Sequence, residues 1–301
     1  MKLKPSESVE DQARRMGRED FAKGISREIG QEAWMPNSLA RVHWLEGWDK
    51  ANTMSKPKLL DLFCGAGGCT KGYQQSGFWV RGVDMKPQPH YIGEEFIQAD
   101  ALEYLESLIT NGEIKQFAAI HASPPCQAYM IARNNGCHKD APRLIDPARE
   151  LLLRTGLPYV VENVAKSPLA DHSLFGTNMI VLCGASFGLR SGKFDLARHR
   201  KFETNWPIVN LPCNHRPGFT IGVYGNGTNR WHREKFGRCI TDAEKREAMN
   251  IDWMSRKELT QAIPPAYTEF IGTQLRNFLV HGTFWYKETS LCNTKTKQNH
   301  Q

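Results

Sequence analysis

The sequence predicts an α/β protein with a doubly wound, mostly parallel sheet. From Lys58 onward, short apolar segments of strand length alternate with longer segments of helical periodicity. A glycine cluster follows the first predicted strand and precedes the first helix of this region, the setting in which a backbone turn lets a ligand approach closely. In such a sheet, ligands bind at the carboxyl ends of the strands. The polar residues that close the strands are therefore the candidates for function.

Five strand segments and three helical segments alternate in this region. The strand segments are KLLDLF, FWVRGVDM, FIQAD, FAAIHAS and PYVVENV. The helical segments are CGAGGCTKGYQQSG, ALEYLESLITNG and IDPARELLLRTG. The strand-end candidates are Asp84, Asp100, Cys126 and Glu162.

The composition is that of a folded intracellular protein. The 301 residues are 40% hydrophobic and 24% charged, and the net charge of +7 favours a polyanionic partner such as nucleic acid. The sequence has no apolar stretch long enough to span a bilayer, and its start, MKLKPSESVEDQARR, is too polar for a signal peptide. We expect a cytoplasmic, monomeric protein with no membrane partner.

Composition also divides the chain into segments. These are a charged helical extension with a linker (1–57), the main α/β domain (58–200), a short insertion rich in proline and glycine (201–243), a return to the main domain (244–281) and a polar tail expected to be disordered (282–301). In the extension, Trp44 and Trp48 share one helical face, and we expect them to pack against the main domain. In the insertion, FTIGVYGNG predicts a strand that enters a turn at Asn226 and Gly227.

The eight cysteines are too scattered for a disulfide framework, and a chain of this length does not need one. We expect free thiols. The nearest approach to a metal pattern is Cys213-Asn-His215 with the later Cys239, and it lacks the paired spacing of a zinc site. We therefore expect no metal.

The glycine cluster Phe63-Cys64-Gly65-Ala66-Gly67-Gly68 suits a cofactor, but alone it is weak evidence. The dinucleotide pattern needs a third glycine at Thr70 and fails there. Asp84 is placed to accept hydrogen bonds from a ribose, and Asp100 to read an adenine amino group. A tight turn followed by two solvated acids is the structural alternative.

Cys126 follows two prolines at a strand end, which fix the backbone and present the thiol at the ligand edge. A lone cysteine is more often inert core, yet a fixed and accessible thiol suits nucleophilic attack. Glu162 and Asn163 close the next strand, where Glu162 either caps the following segment or, partly buried, is kept protonated as a hydrogen-bond donor. If their segment is extended, Arg198 and Arg200 lie on the same face. They are then either a solvated basic pair or a pair that binds an oxygen of a substrate.

These motifs together resemble the cytosine-C5 DNA methyltransferases over most of residues 58 to 280. DLFCGAGG resembles the cofactor motif of that family, SPPCQ the Pro-Cys-Gln nucleophile motif, VVENV the Glu-Asn-Val motif and ARHR the paired-arginine motif, all in the family's order. The resemblance implies a class I methyltransferase, Rossmann-like fold in which residues 58–200 bind S-adenosylmethionine. Residues 201–243 would then be a short target-recognition segment for double-stranded DNA.

The resemblance also implies roles for individual residues. Phe63 would stack on the cofactor adenine, Gly65 and Gly67 would lie along the cofactor, Asp84 would hold the ribose hydroxyls and Asp100 the adenine edge. Cys126 would attack C6 of a flipped-out cytosine. Glu162 would hydrogen-bond N3 and the exocyclic amine, Asn163 would set the loop geometry, Arg200 would reach O2 and Arg198 would support the cluster. The remaining implied cofactor contacts are Ala66, Met85 and Pro124.

The sequence departs from the family at the glutamine that usually opens the arginine motif, here Leu196, and at the final Gly-Asn, here Thr260-Gln261. In NRWHREKFGR, the side chains of Arg230, Trp231 and Arg233 are predicted DNA contacts, although an exposed basic strand would look the same. Three other functions stay open: the same chemistry on tRNA, a catalytically silent DNA-binding protein, and a flavin or nicotinamide oxidoreductase.

Overall fold

The structure is a computed structural model that describes residues 8–23, 25, 27–32, 34–35, 38–54, 56–126, 142–169, 178–224 and 228–281. The predicted turn at Asn226 and Gly227 and the predicted disordered tail 282–301 lie outside the described residues.

A seven-stranded sheet forms the centre of the main domain. Its strands, in spatial order, are β3 (Glu95–Gln98), β2 (Trp79–Asp84), β1 (Lys58–Leu62), β4 (Ala119–Ala122), β5 (Tyr159–Val164), β9 (Arg200–Thr204) and β6 (Asn178–Leu182). The first five are parallel, and β9 is antiparallel to both of its neighbours. This confirms the predicted doubly wound, mostly parallel sheet.

Helices cover both faces of this sheet. On one face, α4 (Gly68–Gln75) and the long C-terminal α10 (Pro265–His281) bury Tyr73, Tyr267 and Ile271 in a core cluster that includes residues of the sheet. On the other face, α5 (Ala101–Thr110) and α6 (Ile145–Thr155) bury Leu105 and Leu152. The central strands β1, β4 and β5 are almost wholly buried, as expected when helices cover both faces of a parallel sheet.

The antiparallel strand β9 changes which residues reach the functional edge. A parallel strand presents its carboxyl end there, whereas β9 presents its beginning, with Arg200 opposite Val164 of β5 and Leu182 of β6. The predicted boundary at residue 201 therefore falls inside a strand of the main sheet. The arginine motif lies at the same edge as the ends of β4 and β5.

A second, smaller unit packs beside the glycine loop. It consists of a three-stranded sheet of β10 (Thr220–Ile221), β8 (Phe194–Leu196) and β7 (Arg190–Ser191), together with α7 (Thr228–Phe236), α8 (Asp242–Met249) and α9 (Arg256–Gln261). Leu196, the departure from the family's glutamine, is fully buried in the core of this unit. The segment NRWHREKF is helical, so the alternative of an exposed basic strand does not apply.

The N-terminal extension is helical, as predicted, and comprises α1 (Val9–Ala22), α2 (Arg27–Glu32) and α3 (Leu39–Met54). The prediction that both tryptophans pack on the main domain was wrong for Trp44, whose indole is buried against Gly30 and donates to Asp20. Gly17 of α1 lies so close to the Trp44 backbone that a Cβ there would sit 2.1 Å from the Trp44 carbonyl oxygen. Because α1 and α3 cross so closely, the Trp44 indole is enclosed within the extension itself.

None of the helices in the described ranges has the length and apolarity that crossing a bilayer requires.

Candidate active site

The loop after β1 has an unusual backbone. Phe63, Gly65 and Gly67 have φ values of 60°, 51° and 87°, in the left-handed region that favours glycine. For a bulky residue such as Phe63 this conformation costs about 1–3 kcal/mol, and such strain concentrates at ligand-binding sites. Around the Gly65 Cα, the described atoms leave open the space that a Cβ would occupy. The loop therefore presents open backbone at Gly65.

Asp84 at the end of β2 is tied to this loop. Its Oδ2 accepts a hydrogen bond of 3.0 Å from the Gly65 amide, and its Oδ1 accepts one of 2.9 Å from the Lys86 amide. A carboxylate has about four acceptor positions, so further hydroxyl donors can still be accommodated. Met85, next to it, is exposed.

The other predicted cofactor residues lie around the same edge. The Asp100 Oδ1 caps α5 by accepting from the Leu102 and Glu103 amides, which is the structural role expected at a helix start. Ala66 is buried, and its carbonyl accepts a 3.0 Å hydrogen bond from the Trp253 indole. The Pro124 carbonyl accepts a 2.9 Å hydrogen bond from the side-chain Nδ2 of Asn163. That bond fixes the backbone two residues before Cys126.

Asp61, inside β1, is a buried carboxyl that the sequence analysis did not single out. The Thr70 hydroxyl donates to its Oδ2 at 2.6 Å, while its Oδ1 has no partner among the described residues. Burial is the main cause that raises the pKa of Asp61, to about 7. The carboxyl was hidden from sequence reasoning because it lies within an apolar strand segment.

Cys126, Glu162 and Arg200 meet at the ends of β4, β5 and the start of β9. Arg200 Nε lies 3.1 Å from Glu162 Oε1, and both side chains are largely buried. Burial raises the pKa of Glu162, and the charges of Arg200 and Arg198 oppose that rise without cancelling it. The carboxyl therefore takes up a proton more readily than an exposed glutamate does.

The Cys126 thiol is electrostatically linked to the same groups. Burial raises its pKa, the Glu162 carboxylate raises it further, and the guanidinium groups of Arg200 and Arg198 oppose the rise. A proton on Glu162 removes one of the causes that hold the thiol protonated. Proton uptake by the carboxyl and ionisation of the thiol thus favour each other.

Arg198 does not share the Glu162 ion pair. Its guanidinium is fully buried and donates to the carbonyls of Val223 and Thr260, the latter at 3.0 Å. The same guanidinium lies 5.4 Å from the Tyr224 ring centre. Burial lowers the pKa of Arg198 to about 9, which leaves it charged at neutral pH. Arg198 thereby ties the insertion (Val223, Tyr224) and the C-terminal return (Thr260) to the active-site edge.

A hydrogen-bonded chain that the sequence analysis missed leads from Glu162 into the core. Ser123 hydrogen-bonds the Glu162 carboxyl, the Ser123 Oγ lies 2.8 Å from His121 Nε2, and His121 Nδ1 lies 2.9 Å from the Tyr73 hydroxyl. His121 is fully buried in β4, and burial lowers its pKa to about 3, so the imidazole is neutral. These residues support the Glu162 carboxyl from the core side of the site.

The predicted DNA contacts lie on α7. Arg230 and Arg233 are exposed, and Trp231 is 40% exposed with the Lys235 ammonium 5.1 Å from its ring centre. Arg230 pairs with Glu234 at 2.8 Å, one helical turn away. His232 faces the other way, where it is buried and donates to the Thr220 carbonyl. The helix therefore presents a basic, partly aromatic face.

Comparisons with known proteins find similarity only to solved structures, at low sequence identity. No family model matches the sequence, and a search of curated proteins gave no match. A putative DNA modification methyltransferase from an Escherichia coli prophage is 15% identical, with a TM-score of 0.49, over 75% of this chain and 100% of that one.

Two further solved structures are similar to the same extent. The S. pombe Dnmt2 methyltransferase is 11% identical, with a TM-score of 0.48, over 75% of this chain and 99% of its own. The Entamoeba histolytica methyltransferase EhMeth is 14% identical, with a TM-score of 0.48, over 75% of this chain and 98% of its own. Identities this low leave the chemistry of the site to be inferred from its own residues.

Proposed function

We propose that this protein is an S-adenosylmethionine-dependent DNA methyltransferase that modifies C5 of cytosine. The observation that carries the proposal is the meeting of Cys126, Glu162 and Arg200 at one edge of the sheet, beside the strained glycine loop. Binding alone needs no thiol whose ionisation is linked to a buried carboxyl. A nucleophilic mechanism needs both.

Cytosine C5 is a weak nucleophile until the ring is activated. Addition of the Cys126 thiolate to C6 forms an S–C6 bond and moves the electron pair of the C5–C6 double bond to C5. Glu162 supplies a proton or hydrogen bond at N3 and so stabilises the electron-rich ring, while Arg200 holds the carboxyl and would reach O2 of the bound base. After C5 has been methylated, loss of its proton re-forms the double bond and expels the Cys126 thiolate.

The residues around the glycine loop fit S-adenosylmethionine. The open side of Gly65 admits a ligand against the backbone, and Asp84 retains acceptor capacity for ribose hydroxyls. Phe63, Ala66, Gly67, Met85, Asp100 and Pro124 complete the proposed contacts. When bound, the cofactor supplies an electrophilic methyl group on a sulfonium.

The basic face of α7 supports DNA as the substrate. Arg230 and Arg233 suit phosphate contacts, and the exposed Trp231 suits stacking on a base or a sugar. Tyr224 and Val223, which precede α7 in the chain, contact Arg198 at the active site. A duplex held by α7 would thus be held by the segment that reaches the reacting groups.

The test is transfer of radiolabelled methyl groups from S-adenosylmethionine to mixed-sequence duplex DNA, followed by nucleoside analysis. We expect 5-methylcytosine from the unaltered protein and from a Cys239→Ser control, and none from Cys126→Ala. A duplex containing 5-fluorocytosine should form a covalent complex through Cys126. Labelling of tRNA in preference to DNA would move the proposal to RNA, and DNA binding without labelling or trapping would refute it.

A further inference from the structure

Four sulfur and nitrogen ligands meet away from the Cys126 site. They are the side chains of Cys183, His199, Cys213 and His215, and their ligand atoms all lie within 4.8 Å of one another. Three of the distances are short: Cys213 Sγ to His215 Nδ1 is 2.8 Å, His199 Nε2 to Cys213 Sγ is 3.3 Å, and Cys183 Sγ to His215 Nδ1 is 3.6 Å. We propose that this cluster binds a structural zinc ion.

The geometry is close to that of a tetrahedral zinc site. With Zn–S bonds of about 2.3 Å and Zn–N bonds of about 2.0–2.1 Å, the donor atoms of such a site lie about 3.3–3.8 Å apart. Two of the three short distances, 3.3 and 3.6 Å, fall in this range, and the Cys213–His215 distance of 2.8 Å is shorter.

The donor types select the metal and its role. Two thiolates and two imidazoles suit zinc, whereas magnesium and calcium prefer oxygen ligands. Four protein ligands also complete a tetrahedral shell and leave no position for a reacting water, which is typical of a structural site. The zinc proposal does not depend on methyl transfer.

The chain positions of the ligands indicate what the metal would hold together. Cys183 directly follows β6, His199 directly precedes β9, and Cys213 and His215 belong to residues 207–216, which form no helix or strand. A shared ion would fasten this irregular stretch to the main sheet. It would also fix the chain between Arg198 and Arg200, since His199 lies between them.

The zinc proposal replaces the expectation of no metal. It groups Cys213 and His215 with Cys183 and His199, whereas the sequence pattern grouped them with Cys239. Cys239 lies elsewhere, where its Sγ accepts a hydrogen bond from Arg233. Cys239→Ser is therefore a matched control, because it removes another cysteine thiol and leaves the four cluster residues unchanged.

The metal content of the full-length, untagged protein tests the proposal directly. After growth in zinc-supplemented medium, we expect about one zinc per chain in the unaltered protein and in Cys239→Ser. Cys213→Ser and His215→Asn should each bind markedly less zinc. Unaltered protein without zinc, or ligand variants that keep as much zinc as the control, would overturn the proposal.

Two measurements on the unaltered protein guard against variants that fail to fold. Exchange of the metal for Co²⁺ should give the thiolate-to-cobalt charge-transfer band and the intense visible bands of a tetrahedral sulfur–nitrogen site. Mass spectrometry after alkylation should find exposed Cys213 protected until a chelator removes the metal, with Cys239 labelling unchanged by the chelator. Absence of the charge-transfer band, or Cys213 labelling that ignores the chelator, would count against a zinc site.

Discussion

The ion pair between Arg200 and Glu162 crosses the junction at which the sheet changes direction. Arg200 begins the antiparallel strand β9, Glu162 lies in the parallel strand β5, and Arg200 Nε stands 3.1 Å from Glu162 Oε1 on the face that the two strands share. Both side chains are largely withdrawn from water. The pair therefore sets the charge that the neighbouring Cys126 thiol experiences.

Replacement of Glu162 by glutamine should make Cys126 more reactive toward alkylating agents. Burial and the Glu162 carboxylate raise the pKa of the thiol, and the arginines lower it, so removal of the carboxylate takes away one of the two causes that oppose thiolate formation. Iodoacetamide labelling of Cys126, followed by peptide mass spectrometry across a pH series, should shift to lower pH in Glu162→Gln. Glu106→Gln, a surface change on α5, should leave the profile in place. A profile that does not move in Glu162→Gln would contradict the electrostatic link.

Loss of Arg149 should destabilise the fold strongly. Arg149 makes two hydrogen bonds of 2.8 Å to Glu203, whose side chain is fully buried in β9. Arg149→Met leaves that carboxylate buried and unpaired, which costs about 3–5 kcal/mol in the free energy of unfolding. Urea unfolding followed by circular dichroism measures the loss. Arg154→Met breaks a solvent-exposed pair with Glu106 and should lower the free energy of unfolding much less. Equal losses of stability in the two variants would contradict the prediction that burial of Glu203 makes the Arg149 pair important.

Asp61 should make stability depend on pH. Its pKa is raised to about 7 in the folded protein, so the folded state binds a proton that the unfolded chain has already released. The stabilising contribution of the protonated carboxyl is complete below about pH 4 and is lost as the pH rises through about 7. Asp61→Asn should therefore gain stability relative to the unaltered protein between these limits, measured by urea unfolding at several pH values. The exposed Asp252→Asn should show no such trend, and parallel curves for Asp61→Asn would refute the prediction.

A side chain at Gly17 should loosen the N-terminal extension without unfolding the main domain. A Cβ there would lie 2.1 Å from the Trp44 carbonyl oxygen, so Gly17→Val must separate α1 from α3. Hydrogen exchange should then show lost protection in residues 9–22 and 39–54 and retained protection in the main sheet. Arg18→Val introduces the same β-branched residue on the exposed face of α1 and controls for helix propensity. Similar losses in both variants would show that helix propensity, rather than the close crossing, is responsible.

The strand-end candidates could be predicted because parallel strands open on one edge. Asp84, Cys126 and Glu162 each follow an apolar run, and the topology places them accordingly. The arginine motif could be singled out by the spacing of Arg198 and Arg200, with a solvated basic pair as the alternative. Its contact with Glu162 depends on β9 running against its neighbours, a property that no local pattern in ARHR carries.

Other parts of the site were hidden for different physical reasons. Asp61 and His121 lie inside short strands, where their polarity is masked by apolar neighbours and their partners come from other elements. Cys183 and His199 join Cys213 and His215 only through the packing of β6 and β9. The helix around Trp231 was not predicted, because its basic and aromatic residues were interpreted as DNA contacts, with an exposed basic strand as the alternative.

The chain of hydrogen bonds behind Glu162 has two possible directions. With the carboxyl ionised, the Tyr73 hydroxyl donates to His121 Nδ1, His121 Nε2 donates to Ser123, and Ser123 donates to Glu162. When Glu162 is protonated, the opposite direction becomes available: Glu162 donates to Ser123, and Ser123 donates to His121 Nε2. This direction requires the imidazole proton to be on Nδ1. A neutral histidine in the middle of the sheet can thus register, by exchange of tautomers alone, the charge of the carboxyl at the edge.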